Sequence, residues 1–166
     1  MTTMTEGNLR ISFPQAAAVR RFDDSQAHGL SHCMKAVDFI VEETDRVLFI
    51  EIKDPEHPRS MDDDRQEFFD NFLSGRLDHD LKYKFRDTFI YEWASENLGK
   101  PLYYLVLIAI DSLTEPEILY FTDRLRQQLP INRSQNWSKE IAEGCTIFNI
   151  RTWNRNLPEY RVERIV

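Results

Sequence analysis

The sequence predicts an α/β domain, with α+β as the alternative, in which helices flank a central mixed β-sheet. Three observations support this class. Several short runs rich in β-branched and aromatic residues are almost continuously apolar, which is typical of strands covered on both faces. Aromatic residues recur at helical spacing in the middle of the chain. The two patterns follow one another along the sequence, as expected for helices that pack on one sheet.

The predicted elements cover most of the chain, whose 166 residues fit a single domain, 1–166. Apolar, β-branched runs predict strands at residues 9–13, 36–41, 47–52, 102–110, 146–153 and 160–165. Helical spacing predicts helices at residues 61–73, 78–98 and 116–129, with Gly75 and Gly99 as stops for the first two. Residues 15–22 fit either a helix or a strand, because their alanine run favours helix and their Val-Arg-Arg-Phe stretch does not. The last two strands are expected to form a closing hairpin.

The charge of the chain is distributed unevenly. The net charge is −7, from 21 Lys and Arg against 28 Asp and Glu. Residues 1–70 hold 15 acidic and 8 basic side chains, a charge of −7, and the remaining residues hold 13 of each. This acidity argues against tight nonspecific binding to nucleic acid, which needs Lys and Arg at the phosphates. A nuclease stays open if metal ions offset its carboxylates, or if a homodimer or a partner subunit supplies basic surface.

The sequence carries no signal for export or for membrane insertion. The polar start of the chain lacks a basic stretch followed by an apolar core. The longest apolar run, residues 102–110, is too short to span a bilayer, which takes about 20 residues. The two cysteines, Cys33 and Cys145, are far apart in sequence, and reduced thiols are the simpler interpretation. We therefore expect a cytoplasmic protein that does not associate with membranes.

Three charged residues interrupt the hairpin that residues 36–41 and 47–52 are expected to form. Glu51 and Lys53 are two positions apart, so their side chains point to the same face of the second strand. If the hairpin closes around residues 44 and 45, paired residues have numbers that sum to 89, and Asp38 lies opposite Glu51, with Cβ atoms about 5 Å apart. A slip by one residue would move Asp38 to the other face, so this prediction depends on the register.

Two neighbouring carboxylates on apolar strands indicate a cation site. A buried charge without a partner is unfavourable, and two close carboxylates repel each other. Hard oxygen ligands suit Mg²⁺ or Mn²⁺, which keep several waters for substrate and nucleophile. A lysine beside such an ion can orient the attacking water and stabilise charge on a phosphate. The pattern predicts in-line hydrolysis of a phosphodiester, and a structural salt bridge at a strand end is the alternative.

The order Val37-Asp38, a hairpin, then Glu51-Ile52-Lys53 closely resembles the signature of the PD-(D/E)XK nuclease superfamily. The resemblance implies a restriction-endonuclease-like fold and a magnesium- or manganese-dependent nuclease that binds and cleaves DNA in preference to RNA. It implies that Asp38 and Glu51 are catalytic metal ligands. It further implies that the backbone carbonyl of Ile52 is another ligand and that Lys53 is the catalytic lysine.

The resemblance extends loosely over residues 34–111 and includes two departures from the family pattern. Val37 stands in place of the name-giving proline, a replacement that the superfamily tolerates. Many members carry an acidic residue on an upstream helix, and the candidates here, which do not lie on a predicted helix, are Glu6, Asp23 and Asp24. One alternative is therefore a catalytically degenerate member that acts in protein binding or complex assembly. Another is a small acidic protein-binding domain whose likeness is accidental.

Basic residues near the start of the second long helix could contact phosphates. We assign nucleic-acid binding to Lys82, Lys84 and Arg86, with a solvated helix face as the alternative. Further arginines decorate the last predicted hairpin, at positions 151, 155, 161 and 164. His28, His32 and Cys33 resemble zinc ligands, but no second Cys or His pair lies at suitable spacing, so zinc is disfavoured.

Overall fold

The computed structural model describes residues 1–165, whose strands form two β-sheets. The strands in chain order are β1 (Thr2–Glu6), β2 (Leu9–Phe13), β3 (Ala18–Arg21), β4 (Phe39–Glu42), β5 (Val47–Lys53), β6 (Leu102–Ile108), β7 (Gly144–Phe148) and β8 (Val162–Arg164). The smaller sheet has the order β1-β2-β8 and is antiparallel. The larger sheet has the order β3-β4-β5-β6-β7. Its first three strands are antiparallel and its last three are parallel, so the predicted mixed sheet is confirmed.

Helices connect and cover the strands of the larger sheet. In chain order they are α1 (Ser25–His28), α2 (Asp62–Ser74), α3 (Arg76–Ala94), α4 (Glu115–Arg126) and α5 (Ile150–Asn156). Gly75 has a φ of +83° and separates α2 from α3, which confirms its prediction as a helix stop. Helix α3 ends four residues earlier than predicted, because the chain leaves the helix at Ser95 and Glu96 takes a positive φ of 60°.

Side chains on the two faces of the larger sheet enter two separate cores. Along β5, Val47 and Phe49 point into a core shared with α2, α3 and α4, and Leu48 and Ile50 point into a core shared with the smaller sheet. Strand β5 is therefore buried on both faces, as its continuous apolar run predicts. Helices α2, α3 and α4 lie on one side of it, whereas the smaller sheet and helix α5 lie on the other, and the side of α2–α4 is the one that carries the charged cluster.

The predicted closing hairpin is wrong. Strand β7 ends at Phe148, and the residues that follow form helix α5. Asn149 caps this helix, because its side-chain oxygen accepts a hydrogen bond of 2.8 Å from the N–H of Thr152. The last strand, β8, pairs with β2 in the smaller sheet and not with β7. Pairing between the two ends of a chain leaves no mark in a local sequence pattern.

The structure also assigns segments that the sequence left open. The undecided stretch 15–22 contains strand β3, which pairs with β4, and the polar start of the chain contains β1. Among residues 1–165, no helix is long and apolar enough to cross a membrane. The mixed sheet with flanking helices is shown, while the restriction-endonuclease-like arrangement stays a prediction.

Candidate functional site

Strand β5 brings Glu51 and Lys53 to the helix-facing side of the larger sheet. Side chains alternate along the strand, so these two residues follow Val47 and Phe49, which lie in the core beneath the helices. Glu51 is fully buried, whereas Lys53, the last residue of the strand, is partly exposed. The end of β5 therefore carries a pair of charges at the border between core and solvent.

Asp38, which directly precedes β4, joins this pair. The residue pairs between β4 and β5, such as Phe39 with Ile50, have numbers that sum to 89, so the predicted register is confirmed. Asp38 is buried, and its Oδ2 atom accepts a hydrogen bond of 2.6 Å from the backbone N–H of Ile52. This contact holds the Asp38 carboxyl against the end of β5, next to Glu51. The structure thus brings together the three residues of the predicted cluster.

Two lysines balance the buried charge of Glu51. The Oε1 atom of Glu51 lies 2.9 Å from Nζ of Lys53 and 2.8 Å from Nζ of Lys84, which is part of α3. Both contacts are short ion pairs, and the charge of Glu51 helps to raise the pKa of Lys84. Among residues 1–165, neither buried carboxylate oxygen of Glu51 accepts a hydrogen bond of regular geometry. The two ammonium groups therefore stabilise the carboxylate mainly through their charge.

Charged residues from α3 and from the preceding segments surround this cluster. Asp80 Oδ2 lies 3.6 Å from Nζ of Lys53, and the other oxygen of Asp80 contacts the ammonium group of Lys35. Asp23 lies 3.9 Å from Nζ of Lys84. Asp80 was not predicted from the sequence as part of the cluster, although Asp80 and Lys84 are four residues apart and share a helix face. Helical spacing shows which residues share a face of α3, but it does not show which part of the sheet that face packs against.

Burial and neighbouring charges change the proton affinities in the cluster. Burial raises the pKa of Asp38 to about 8, and the nearby charge of Glu51 adds to this rise. Burial by itself would lower the pKa of Lys84, but the charges of Glu51 and Asp38 outweigh it and raise that pKa. Near neutral pH and without a cation, Asp38 is therefore mostly protonated, while Lys84 stays charged.

The residues predicted to contact phosphates separate into two groups. Lys82 and Arg86 lie outside the cluster and flank the exposed ring of Tyr83, with their charged ends 5.3 Å and 5.7 Å from the ring centroid. Lys84 instead points inward to Glu51, and its side chain is 14% exposed. Lys84 thus belongs to the cluster, whereas Lys82 and Arg86 lie on the protein surface.

The candidate upstream acids have partners of their own. Glu6 forms an ion pair with Arg21, Asp24 caps the start of α1, and Asp23 lies near Lys84. In the described part of the chain, no group of three or more His, Cys, Asp or Glu side chains is arranged to hold a metal ion. His28, His32 and Cys33, which were considered as zinc ligands, therefore do not form such a group.

The oxygen ligands predicted from the sequence, on Asp38, Glu51 and the backbone of Ile52, meet at the end of β5. Carboxylate and carbonyl oxygens suit Mg²⁺ or Mn²⁺, which leave their other positions to water. The buried Glu51 carboxylate, whose oxygens accept no hydrogen bond of regular geometry within residues 1–165, is the observation that fits such an ion. Comparisons of the chain with family models, curated proteins and solved structures found no significant match, so its function is inferred from the geometry of the cluster.

Proposed function

We propose that this protein hydrolyses phosphodiester bonds of nucleic acid, with DNA preferred to RNA, in a magnesium- or manganese-dependent reaction. The observation that supports this proposal best is the buried carboxylate of Glu51, which lies beside Asp38 and contacts Lys53 at the end of β5. Two acidic ligands and an adjacent lysine at a solvent border combine cation binding with stabilisation of charge on a phosphate. The resemblance to PD-(D/E)XK nucleases points to the same chemistry.

Each residue of the cluster has a distinct role in this reaction. Asp38 and Glu51 would hold the cation, and the carbonyl of Ile52 would be a third ligand. When bound, the cation supplies positive charge that polarises a phosphate oxygen and lowers the pKa of water. Lys53, at the exposed rim, orients the attacking water and offsets the negative charge that develops on the phosphate. Lys84 neutralises Glu51 from the buried side.

A second candidate function is that of a degenerate nuclease-fold module acting in protein binding or complex assembly. One observation favours it, because Lys53 and Lys84 already balance the charge of Glu51 without any cation. The net charge of −7 also suits a chain that does not hold nucleic acid tightly by itself. A degenerate module could still bind a cation, so cleavage is the measurement that distinguishes the two functions.

Manganese-dependent cleavage of supercoiled plasmid and of single-stranded oligonucleotides tests the proposal. Wild type is compared with Lys53→Ala, Glu51→Gln and a matched control, Lys100→Ala, whose ammonium group pairs with Glu42 near the other end of β5. Lys53→Ala should reduce cleavage by about 100-fold or more, because it removes charge stabilisation, while Mn²⁺ affinity measured by calorimetry stays within about threefold. Glu51→Gln should lose both cleavage and Mn²⁺ binding. Lys100→Ala should change neither.

The variants also expose a contaminating nuclease, provided that all are purified identically. Cleavage that persists equally in Lys53→Ala and Glu51→Gln comes from a contaminant and contradicts the proposal. Cleavage lost in Glu51→Gln but kept in Lys53→Ala would remove the role of the lysine and keep the cation site. Mn²⁺ binding without any cleavage by the wild type would favour the degenerate module.

A further inference from the structure

A surface cleft lies next to the Glu51 cluster, between the end of α2 and the start of α3. It has a volume of about 440 Å³. Its polar and aromatic walls are formed by Lys35, Asn71, Arg76, His79, Asp80 and Tyr83. Asp80 connects the cleft with the cluster, since its carboxylate contacts both Lys35 and Lys53. A molecule bound in this cleft, here called the Tyr83 cleft, would therefore be a neighbour of the proposed reaction site.

The Tyr83 cleft is cationic, although the chain as a whole has a net charge of −7. Lys35 and Arg76 lie in its wall, and two further cations, Lys82 and Arg86, follow on α3. The acidic side chain of the wall, Asp80, is paired with Lys35 and Lys53, so Arg76 is the cation of the wall that this pairing leaves in excess. Such a local excess of positive charge attracts an anion, and a nucleic-acid phosphate is the anion that the proposed reaction would supply.

Tyr83 presents an aromatic ring at the rim of the cleft and is 45% exposed. The core does not use this ring, because the buried stripe of α3 runs through Leu77, Leu81 and Phe85. Lys82 Nζ lies 5.3 Å from the centroid of the ring, within cation–π range. An exposed ring among cations is the combination that binds single strands, since bases stack on the ring while the cations contact the phosphates.

We propose that the Tyr83 cleft binds single-stranded nucleic acid and stacks one base on Tyr83. In a duplex, neighbouring bases cover both faces of each base, so a ring can stack only on a base in an unpaired segment. Asp80 and Tyr83 are three residues apart on α3, which places their Cβ atoms about 5–6 Å apart. The stacked base would thus lie on the same part of α3 as Asp80, which contacts Lys53. The inference rests on the proposed function and names single-stranded nucleic acid as its substrate.

Binding is tested without any divalent ion, so that it does not depend on cleavage. Fluorescence anisotropy of a labelled oligothymidylate in EDTA at low salt gives the affinity for a single strand, and a duplex of equal length is measured beside it. Wild type should bind the single strand more tightly than the duplex. Tyr83→Ala should weaken single-strand binding by about tenfold, because stacking on an aromatic residue contributes roughly that much.

Two further variants sharpen the measurement. Tyr120→Ala is the matched control, because Tyr120 is an exposed tyrosine on α4 with the Arg124 guanidinium near its ring, and it should leave the affinity unchanged. Arg76→Gln should weaken binding and make the dependence of affinity on salt concentration less steep by about one charge. Equal binding by wild type and Tyr83→Ala, no binding at low salt, or tighter binding of the duplex would each overturn the inference.

Measuring cleavage and binding on the same wild-type protein separates the failure of this inference from that of the proposed function. Binding in EDTA does not need the cation, so it is scored independently of cleavage in Mn²⁺. If single-strand binding depends on Tyr83 but the protein does not cleave, the inference about the cleft is supported and the nuclease proposal is contradicted. Cleavage combined with binding that ignores Tyr83 would keep the nuclease proposal and overturn the inference about the cleft.

Discussion

The carboxylate of Glu51 is fully buried, so it depends on the two ammonium groups that contact it. An isolated interior charge is strongly unfavourable, and a nearby opposite charge offsets much of that penalty. Lys84 is the more buried partner, with 14% of its side chain exposed against 23% for Lys53. Lys84 is therefore the partner of Glu51 that is better shielded from solvent, whereas Lys53 is better placed to contact a substrate.

Lys84→Met should lower the free energy of unfolding by about 3 kcal/mol, because it removes one of the two partners of a buried carboxylate. Adding Glu51→Gln to this variant should recover most of the loss, since the charge that required the lysine is then absent. Urea unfolding of the single and double variants measures both effects. Lys100→Met, at an exposed pair, should change stability by less than about 1 kcal/mol. An equal loss in the single and double variants would show that packing of the Lys84 side chain matters and its charge does not.

Asp38 should make the metal-free protein less stable as the pH rises. Burial raises the pKa of its carboxyl from the model-compound value of 3.8 to about 8, so the folded state keeps a proton that the unfolded chain has released. The stability from this proton is complete below about pH 4 and is lost as the pH rises toward 8, by up to about 1.4 kcal/mol per pH unit. Urea unfolding in EDTA at several pH values should show this slope in the wild type and not in Asp38→Asn. The same slope in both proteins would contradict the raised pKa.

Among the secondary-structure elements, the hairpin and helix α5 differ in what the sequence could predict. The β4–β5 hairpin follows largely from local information, because two apolar runs and a short connector predict two paired strands and their register, although β4 begins at Phe39 and not at residue 36 as predicted. Helix α5 does not, since Ile150, Thr152 and Trp153 favour strands by propensity. It forms because Asn149 caps it and because Trp153 is fully buried, with its indole N–H donating to the carbonyl of Tyr160 at 2.6 Å. Tertiary contacts therefore override propensity in this segment.

Asn149→Ala should lower the free energy of unfolding by about 2 kcal/mol, because two interactions of this buried side chain are lost. The substitution removes the cap of α5, and it also leaves the carbonyl of Leu113 without the amide donor that lies 2.9 Å away. Asn149→Ser keeps a capping oxygen and loses only the amide donor, so it should be less destabilising. Urea unfolding of both variants checks the order. Equal losses would show that the cap contributes little.

At the scale of the whole molecule, the candidate site combines residues that are close in sequence with residues that are far apart in sequence. Asp38, Glu51 and Lys53 could be predicted together, since a strand period of two and one hairpin register place them on one face. Lys84 and Asp80 reach the same place only because α3 packs against the larger sheet. The smaller sheet covers the other face of the larger sheet, and it depends on the pairing of β8 with β2, two strands near opposite ends of the chain. Such docking is decided by the packing of the whole chain and has no local signal.

Millimolar Mn²⁺ or Mg²⁺ should raise the melting temperature of the whole domain, because a ligand bound only by the folded state stabilises it. At an ion concentration of about 100 times the dissociation constant, the gain is about 2.7 kcal/mol. For a chain of this size, that corresponds to a rise of roughly 5–10 °C. Asp38→Asn should abolish the rise and Lys53→Ala should retain it in a thermal titration. An unchanged wild-type melting temperature would contradict the cation site, and a rise that survives in Asp38→Asn would locate the ion elsewhere.

The burial of Glu51 also determines how fast an ion could arrive and leave. Its carboxylate is closed to solvent, and two ammonium groups lie within 2.9 Å of one of its oxygens. An incoming ion would have to replace these contacts, so its entry would be limited by movement of the lysine side chains and not by diffusion. The observed rate of binding would then level off as the ion concentration increases. A site of this kind exchanges its ion slowly in both directions, and it would remain occupied through a brief depletion that empties an open site of equal affinity.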